Sequence, residues 1–297
     1  MFKIIKSANG PHGRYSVELE IEKNFTFPAG EVGVQLKTTQ FSYFTTKAPY
    51  QTIWAQIQNG DDVMRLLNIV DALRRIDKTP IRLFLPYLPY SRQDRVCNDG
   101  ESFALGVFAK LINSLNFERV TIADPHSDVS TALIENVEVL NQVDIINEFI
   151  TFSNRILNSF KFVAPDAGSN KKIAKLASYF AHHDFIRADK LRNLDTGEIK
   201  ETIVYADNLT GQNIAIVDDI CDGGRTFIEL AKVLKAKGAE RVILFVTHGI
   251  FSKGFGPLLE NGIDEIYTTN SYKNIDLKDT ENVYILDLER VFVKNIK

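Results

Sequence analysis

Cysteine is scarce in this chain, with two residues, Cys97 and Cys221, among 297. They lie far apart and match no metal-ligand or redox spacing, which argues against a disulfide scaffold and a zinc site. No apolar run approaches the ~18 residues that a membrane-spanning helix needs, and the N-terminus turns polar too soon for a signal peptide. We therefore expect a protein of the reducing cytoplasm without a membrane partner.

A large excess of charge of one sign is also absent. Thirty-five Lys and Arg stand against 38 Asp and Glu, which leaves a formal net charge of -3. This balance gives no reason to expect a nucleic acid as partner, and any anion-binding site must be local. With 44% hydrophobic and 25% charged residues, the composition is that of a globular protein with a sizeable core, which excludes disorder, collagen and coiled coil.

Short β-rich runs alternate with helical stretches from about residue 51, which is typical of an α/β fold. Before that point, Pro28 and Gly30 interrupt short mixed runs that predict small strands and turns without a long helix. The predicted strands are 81–85, 119–123, 160–164, 213–217 and 241–247, and the predicted helices are 61–75, 102–116, 170–180 and 225–237. Apolar residues at helical spacing in the first two helices, including Met64 and Val107, are predicted to pack in the core.

The α/β pattern restarts near residue 142, and the second half of the chain is built like the first. We therefore predict two domains, 1–142 and 143–297, each a doubly wound parallel sheet. Ligands of such sheets bind at the carboxyl ends of the strands. The loops that directly follow strands are thus the candidates for chemistry.

The segment that follows strand 213–217 carries the strongest chemical signal. Its polar and glycine residues are Asp218, Asp219, Asp222, Gly223, Gly224, Arg225 and Thr226. A glycine-bearing turn at a helix N-terminus can hold a phosphate with backbone N-H groups and a Thr hydroxyl, while the paired carboxylates after the strand suit sugar hydroxyls or hydrated Mg²⁺. These residues suggest a sugar phosphate site, although a helix cap at Asp222 with a simple glycine turn stays open at this point.

This segment resembles the phosphoribosyl-diphosphate binding motif that phosphoribosyltransferases and ribose-phosphate diphosphokinases share. It departs from the motif at Gly223, where Thr is common, and at Arg225, where Gly is usual. Residues 86–95 (PYLPYSRQDR) closely resemble the P-Y-x-x-Y-[AS]-R-Q-D-R segment of the diphosphokinases, which transferases lack. The resemblance implies that Arg92 and Gln93 bind ATP.

Two further segments resemble the diphosphokinase family in the same order. Residues 123–127 (ADPHS) are similar to its D-L-H segment, which implies a catalytic role for His126 at the ATP and metal sites. Residues 163–168 (VAPDAG) are similar to its S-P-D-x-G-G segment, which implies that Asp166 is a ligand of metal and ribose. From the residues alone, Asp166 could instead only cap the next helix.

Residues 189–192 (DKLR) resemble the base of the family's mobile catalytic loop, which continues here through residues 193–200. The resemblance implies that Lys190 and Arg192 serve the transition state. From composition alone, the charged stretch 187–201 could also be a solvated face.

Residues 27–31 (FPAGE) resemble the family's F-[PS]-D-G-E segment, with Ala29 in place of the acidic residue. The resemblance implies that Phe27 and Glu31 contact the adenine of ATP in a neighbouring subunit. It therefore also implies a homo-oligomer, built from dimers and up to a hexamer. His248, in a later segment similar to the family, is assigned no catalytic role.

The resemblance, which runs from about Phe27 to Ser271, implies a ribose-phosphate diphosphokinase. Such an enzyme moves the diphosphoryl group of ATP to the anomeric hydroxyl of ribose 5-phosphate, with Mg²⁺ as cofactor. The implied fold is two type I phosphoribosyltransferase-like domains: 1–142 with the ATP segment, and 143–297 with the ribose 5-phosphate site and the mobile loop. The last segment could also pack back on the N-terminal domain.

Two other functions stay open at this stage. A phosphoribosyltransferase would share the 218–226 motif but would not need Arg92, Gln93 or His126. A non-catalytic family member would bind nucleotides and regulate a partner.

Overall fold

The structure is a computed structural model that describes residues 1–10, 13–43, 49–153, 160–180, 185–192, 199–273 and 281–295. The chain divides into two compact units, Met1–Leu140 and Asn141–Lys297. No helix among the described residues is both long and apolar enough to cross a membrane.

The first unit contains one six-stranded sheet and a separate two-stranded ribbon. Its strands are β1 (Phe2–Gly10), β2 (Gly13–Leu19), β3 (Ile21–Thr26), β4 (Val32–Leu36), β5 (Tyr50–Ala55), β6 (Ile81–Leu85), β7 (Arg119–Ala123) and β8 (Val137–Leu140). Its helices are α1 (Gly60–Ile76), α2 (Ala104–Ser114) and α3 (Asp128–Leu133), and Thr38–Tyr43 form a 3₁₀ helix. The sheet order is β2-β1-β5-β6-β7-β8. Strands β5 to β8 are parallel to one another, and β1 is antiparallel to both of its neighbours, β2 and β5.

Helix α1 shows how the sequence sets an element of this unit. Asn59 caps its N-terminus by accepting a hydrogen bond from the backbone N-H of Asp62, and basic residues stand in its last turn, where they complement the helix dipole. Leu66 and Leu73, on one face, are fully buried in the core of the unit. Met64 and Val107 were predicted to be core residues but are 47% and 65% exposed, because they lie outside the buried face of α1 and α2.

The second unit contains a seven-stranded sheet of order β11-β10-β9-β12-β13-β14-β15. Its strands are β9 (Phe160–Ala164), β10 (Ile186–Arg192), β11 (Ile199–Val204), β12 (Asn213–Cys221), β13 (Arg241–Gly249), β14 (Glu265–Thr269) and β15 (Val283–Leu286). Its helices are α4 (Gln142–Ser153), α5 (Asn170–Tyr179), α6 (Arg225–Ala236), α7 (Gly256–Leu259) and α8 (Leu288–Asn295), with a 3₁₀ turn at Ala167–Ser169. All strands are parallel except β11, which is antiparallel to β10.

The C-terminal elements lie in this second unit. Strand β15 pairs with β14, and helix α8 contacts α4. An ion pair joins the Nζ of Lys294 to Glu148 at 2.6 Å. This end of the chain therefore completes the second sheet.

The α/β fold predicted from the sequence is confirmed, and the predicted helices and strands correspond to α1, α2, α5 and α6 and to β6, β7, β9, β12 and β13. Two predicted strand ends are wrong: β13 continues past residue 247 to Gly249, and the end of β12 differs by more. Strand β12 continues past residue 217 to Cys221, because its ladder with β13 persists through the pairs Asp218 with Val246 and Cys221 with Gly249. Asp218 and Asp219 thus lie inside the strand rather than after it.

Candidate active site

The connection between β12 and α6 is a tight turn over residues 222–224. Gly224 precedes the helix with a φ of +77°, a conformation that side chains rarely adopt. A Cβ on Gly224 would also lie 3.0 Å from Cδ2 of Leu258. The first N-H groups of a helix lack intrahelical acceptors and carry the positive end of its dipole, so the start of α6, at Arg225 and Thr226, suits a phosphate.

Asp218 and Asp219 lie near the carboxyl end of β12, with Ile220 and Cys221 between them and this turn. Asp219 is buried, and its backbone N-H donates to Oδ1 of Asp218 at 2.9 Å. Burial and the neighbouring charge of Asp219 raise the pKa of the Asp218 carboxyl well above its usual value. A group that offers hydroxyls or a cation would relieve this repulsion.

Lys190 and Asp166 meet beside these carboxylates. The Nζ of Lys190 donates to Oδ2 of Asp166 at 2.8 Å, and the Lys190 side chain is only 7% exposed. Lys190 is on β10 and Asp166 follows β9, which pairs with both β10 and β12. The charge of Asp166 contributes to the raised pKa of Asp218, which places the two carboxylates close enough to interact. Three neighbouring strands therefore bring one ammonium and three carboxylates to one edge of the sheet.

Asp166 also caps the 3₁₀ turn that leads into α5. Its Oδ1 accepts from the backbone N-H of Ser169 at 3.1 Å, and the Ser169 side chain closes a capping box. Burial raises the pKa of Asp166, but the hydrogen bond and charge of Lys190 and the bonds from Ser169 outweigh it, so the pKa lies below its usual value. Asp166 is therefore ionised at neutral pH while its side chain stays 40% exposed.

A buried polar layer supports the carboxyl ends of β12 and β13. The side-chain amide of Gln142 donates to the backbone carbonyl of Asp218 at 2.8 Å. His248 is buried, and its Nδ1 lies 2.9 Å from Oγ of Ser271, which donates to the carbonyl of Thr247 at 3.0 Å. These contacts hold backbone atoms at the carboxyl ends of β12 and β13. The sequence alone does not point to Gln142, because a lone Gln at a helix start carries no chemical signal.

Arg192 ends β10, and its backbone pairs with Ile199 beyond an irregularity in the ladder. Its side chain lies outside what the structure describes, as do residues 193–198 of the predicted mobile loop. Residues 189–192 form part of a strand rather than a loop.

In the first unit, the candidate ATP residues follow β6 and β7, which are neighbouring parallel strands. Arg92 and Gln93 are exposed. The turn that presents them is closed by a hydrogen bond from the backbone N-H of Gln93 to the carbonyl of Tyr90 at 2.9 Å, and Tyr90 has a φ of +62°. A non-glycine residue in this conformation costs about 1–3 kcal/mol and marks a turn that the surrounding structure enforces.

His126 is exposed after β7, close to the buried carboxylate of Asp94. A hydrogen bond from Arg95 lowers the pKa of Asp94 against the effect of burial, and Ser127 and the charges of Arg95 and His126 add to this. Asp94 therefore links residues 92–95 to the segment that carries His126.

Phe27 and Glu31 lie in the connection between β3 and β4. The backbone N-H of Phe27 donates to the carbonyl of Glu31 at 2.8 Å. Glu31 is exposed, and Phe27 is 55% exposed. Both side chains are thus available for a contact outside this loop.

No three His, Cys, Asp or Glu side chains cluster as a metal cage within the described ranges of either unit. His126 belongs to the first unit and Asp166 to the second.

Comparison with known proteins decides the family. Residues 18–115 match the model for the N-terminal domain of ribose phosphate pyrophosphokinase, and residues 196–297 match that for the phosphoribosyl synthetase-associated domain. The ribose-phosphate pyrophosphokinase of Mycoplasmopsis pulmonis is 31% identical over 243 residues, which are 80% of this chain and 74% of that protein. The chain belongs to the ribose-phosphate pyrophosphokinase family.

Other ribose-phosphate pyrophosphokinases align over similar lengths. That of Pyrococcus furiosus is 28% identical over 254 residues, 85% of each chain. The crystal structure of phosphoribosylpyrophosphate synthetase from Mycobacterium smegmatis matches with a TM-score of 0.75 at 21% identity, and covers 92% of this chain and 87% of that one. The fold is therefore that of a phosphoribosylpyrophosphate synthetase, of the type I phosphoribosyltransferase-like kind.

Proposed function

We propose that this pyrophosphokinase family member is an active ribose-phosphate diphosphokinase. It transfers the β,γ-diphosphoryl group of ATP to the anomeric hydroxyl of ribose 5-phosphate and releases AMP and 5-phosphoribosyl 1-diphosphate. The observation that carries the proposal is the position of the Lys190 ammonium, 2.8 Å from Asp166 at the sheet edge that also holds Asp218 and the start of α6. A cation beside a sugar phosphate site is what diphosphoryl transfer requires.

We assign ribose 5-phosphate to the second unit. The turn 222–224 and the first residues of α6, Arg225 and Thr226, hold the 5-phosphate, and Asp218 and Asp219 accept hydrogen bonds from the ribose hydroxyls. These contacts fix the sugar, so that its anomeric oxygen can attack the β-phosphorus in line with the leaving AMP. Holding two reactants in the correct relative orientation converts a bimolecular step into an effectively unimolecular one.

Lys190 and Arg192 act on the transferring group. In the structure Asp166 forms an ion pair with the buried Lys190, which compensates the burial of its charge. The transferred diphosphoryl oxygens would compete with Asp166 for this ammonium. Preorganised cations of this kind each contribute a few kcal/mol to the transition state, on the order of 10²-fold or more in rate.

We assign ATP to the first unit. Arg92 offers a charged fork to phosphates or a plane to the base, and Gln93 can bond to an adenine edge. His126 supports the nucleotide from the next strand. Phe27 and Glu31 would reach the adenine of a neighbouring subunit, so we expect a homo-oligomer built from dimers, up to a hexamer. A light-scattering mass of a monomer would contradict this assembly.

Asp166 fits a Mg²⁺ ligand because it is ionised and partly exposed. Mg²⁺ typically binds one or two carboxylates together with substrate phosphates and water rather than an all-protein cage, which agrees with the lack of such a cage among the described residues. In the second unit Asp166 would hold the ion, and in the first unit His126 would support the nucleotide that the ion accompanies. When bound, Mg²⁺ would neutralise part of the negative charge of the phosphates.

The test is product analysis of the purified full chain with ATP, Mg²⁺ and ribose 5-phosphate. We expect AMP and phosphoribosyl diphosphate in equal amounts, with neither product when the sugar phosphate or the metal is left out. Folded protein that gives neither product with any nucleoside triphosphate and added phosphate would overturn the proposal. Such a result would favour a transferase or a non-catalytic regulator instead.

A further inference from the structure

We propose that Lys253, with Ser252, forms a second wall of the 5-phosphate site. The proposal rests on the function proposed above, which places the phosphate of ribose 5-phosphate at the turn 222–224. Lys253 lies in the connection between β13 and α7, about thirty residues further along the chain. The family resemblance assigns no role to Lys253.

The side chain of Lys253 lies directly against the phosphate turn. Its Cε and Cδ are 3.7 and 3.8 Å from the position that a Cβ of Gly223 would occupy, and Oγ of Ser252 is 3.9 Å from the same point. These are ordinary van der Waals distances. The Lys253 ammonium is one covalent bond beyond Cε, so it lies beside the turn that precedes the first N-H groups of α6, which lack intrahelical acceptors.

The backbone holds Lys253 at this place. The N-H groups of Ile250 and Phe251 both donate to the carbonyl of Cys221, the residue before the turn, at 2.9 and 3.1 Å. Phe251 has a φ of +45°, and the N-H of Gly254 donates to the Phe251 carbonyl at 2.9 Å. The segment is thereby tied to the residue before the turn on the N-terminal side of Lys253, and the bond from Gly254 closes a tight bend around Lys253.

The Lys253 ammonium is available to bind an anion. Among the described residues it forms no hydrogen bond or ion pair, and it is exposed. Asp218 and Asp219 lie on the strand that leads to α6, and negative charge on this pair opposes a phosphate dianion. A lysine held at the rim offsets this repulsion, and its ammonium can donate a charge-assisted hydrogen bond to a phosphate oxygen.

The test compares Lys253→Met with the wild-type full chain. Met keeps the apolar stem that packs on Gly223 and removes only the charge. We expect the Kd for ribose 5-phosphate, measured by calorimetry without nucleotide, to rise about tenfold, which corresponds to the loss of one hydrogen bond to a charged group. The KM for ribose 5-phosphate rises in parallel, and the KM for ATP does not change.

Two controls separate the local charge from other effects. Lys232→Met removes one exposed charge on α6 whose partner is Glu229, 3.1 Å away, and should leave the Kd for ribose 5-phosphate unchanged. Lys253→Arg should restore binding to within about threefold of wild type. The effect of Lys253→Met should also shrink at high ionic strength, because the charge is exposed.

The outcomes distinguish this inference from the proposed function. A wild-type enzyme that forms phosphoribosyl diphosphate, together with a Lys253→Met variant of unchanged Kd and KM for ribose 5-phosphate, would overturn the role of Lys253 alone. A chain that binds ribose 5-phosphate through Lys253 but produces no AMP would overturn the activity alone. A chain that binds no ribose 5-phosphate would overturn both.

Discussion

The candidate groups of the two units differ in how far the fold holds them in place. In the first unit, Arg92, Gln93 and His126 are exposed side chains on loops after β6 and β7. In the second unit, Lys190 is 7% exposed and bonded to Asp166, and the latter also caps a helical turn.

This difference suggests a division of labour. Buried, paired groups are positioned before a substrate arrives, which is the condition for lowering the energy of a transition state. Exposed groups bind a ligand in competition with water, and we expect them to contribute mainly to its affinity. We therefore expect substitutions of Lys190 and Asp166 to affect kcat or stability, and those of Arg92 and Gln93 to affect the KM for ATP.

The largest effect is expected for Lys190→Ala. The variant should lower kcat on the order of 10²-fold or more, because a preorganised cation at the transferring group is lost, while the KM for ribose 5-phosphate changes only a few-fold. Steady-state rates of AMP formation measure both. A kcat close to that of wild type would remove Lys190 from the transition state and with it the proposed division of labour.

Arg92→Ala tests the first unit. Loss of a charged hydrogen bond of about 1.5–3 kcal/mol corresponds to a rise of roughly 10- to 100-fold in the KM for ATP, with the KM for ribose 5-phosphate unchanged. Arg75→Ala is the matched control, because Arg75 is exposed and forms an ion pair with Asp71 at 2.7 Å within α1. An equal effect of the two substitutions would show that the charge of the unit, rather than Arg92 itself, matters to ATP.

Substitution of one glycine in each unit compares how tightly the two loops are packed, with the free energy of unfolding as the measure. Gly30 and Gly224 both have a positive φ, of +93° and +77°, but a Cβ on Gly30 would meet nothing within 4 Å, whereas one on Gly224 would meet Leu258 at 3.0 Å. Gly30→Ala should therefore lower the free energy of unfolding by about 1 kcal/mol from strain alone, and Gly224→Ala by more, about 2 kcal/mol. Urea unfolding measures both, and equal losses would show that the turn at Gly224 is less tightly packed than the structure indicates.

The smallest effect concerns the pH dependence of stability. The pKa of Asp166 is lowered in the folded protein, so its ionised form stabilises the fold above the ordinary value of 3.8, and this contribution is lost as the pH falls through the folded value. At neutral pH the Tm of the wild type should therefore be higher than the Tm of the Asp166→Asn variant. This difference in Tm should close as the pH falls below 3.8. Asn keeps the capping ability of Asp. A gap that persists in acid would assign the stabilisation to something other than the charge.

Much of the fold follows from periodicity in the sequence. Strands such as β6, β7 and β9 are short apolar runs flanked by turn residues, and their bounds match the predicted ones. The antiparallel pair β10 and β11 was not predicted, because its residues are largely charged and lack an apolar pattern. The end of β12 was misplaced since Asp218 and Asp219 are typical loop residues, whereas the backbone ladder with β13 decides the strand.

The candidate site was predictable only in part. Motifs in the order of a family named Asp166, Lys190 and Asp218 individually, but no motif states that the first two form an ion pair. Contacts between distant segments, such as Gln142 with Asp218 or Lys253 with Gly223, depend on how strands β12 and β13 align. They become visible only in three dimensions.

The two cysteine thiols differ in exposure, as the candidate residues of the two units do. Cys97 is exposed, four residues beyond Gln93, while Cys221 is buried and its burial, with Asp218 and Asp222 nearby, raises its pKa to about 12. Only the thiolate reacts with alkylating reagents. A maleimide fluorophore would therefore attach at one position of the native chain, beside the segment that we assign to ATP, and report nucleotide binding without any engineered cysteine.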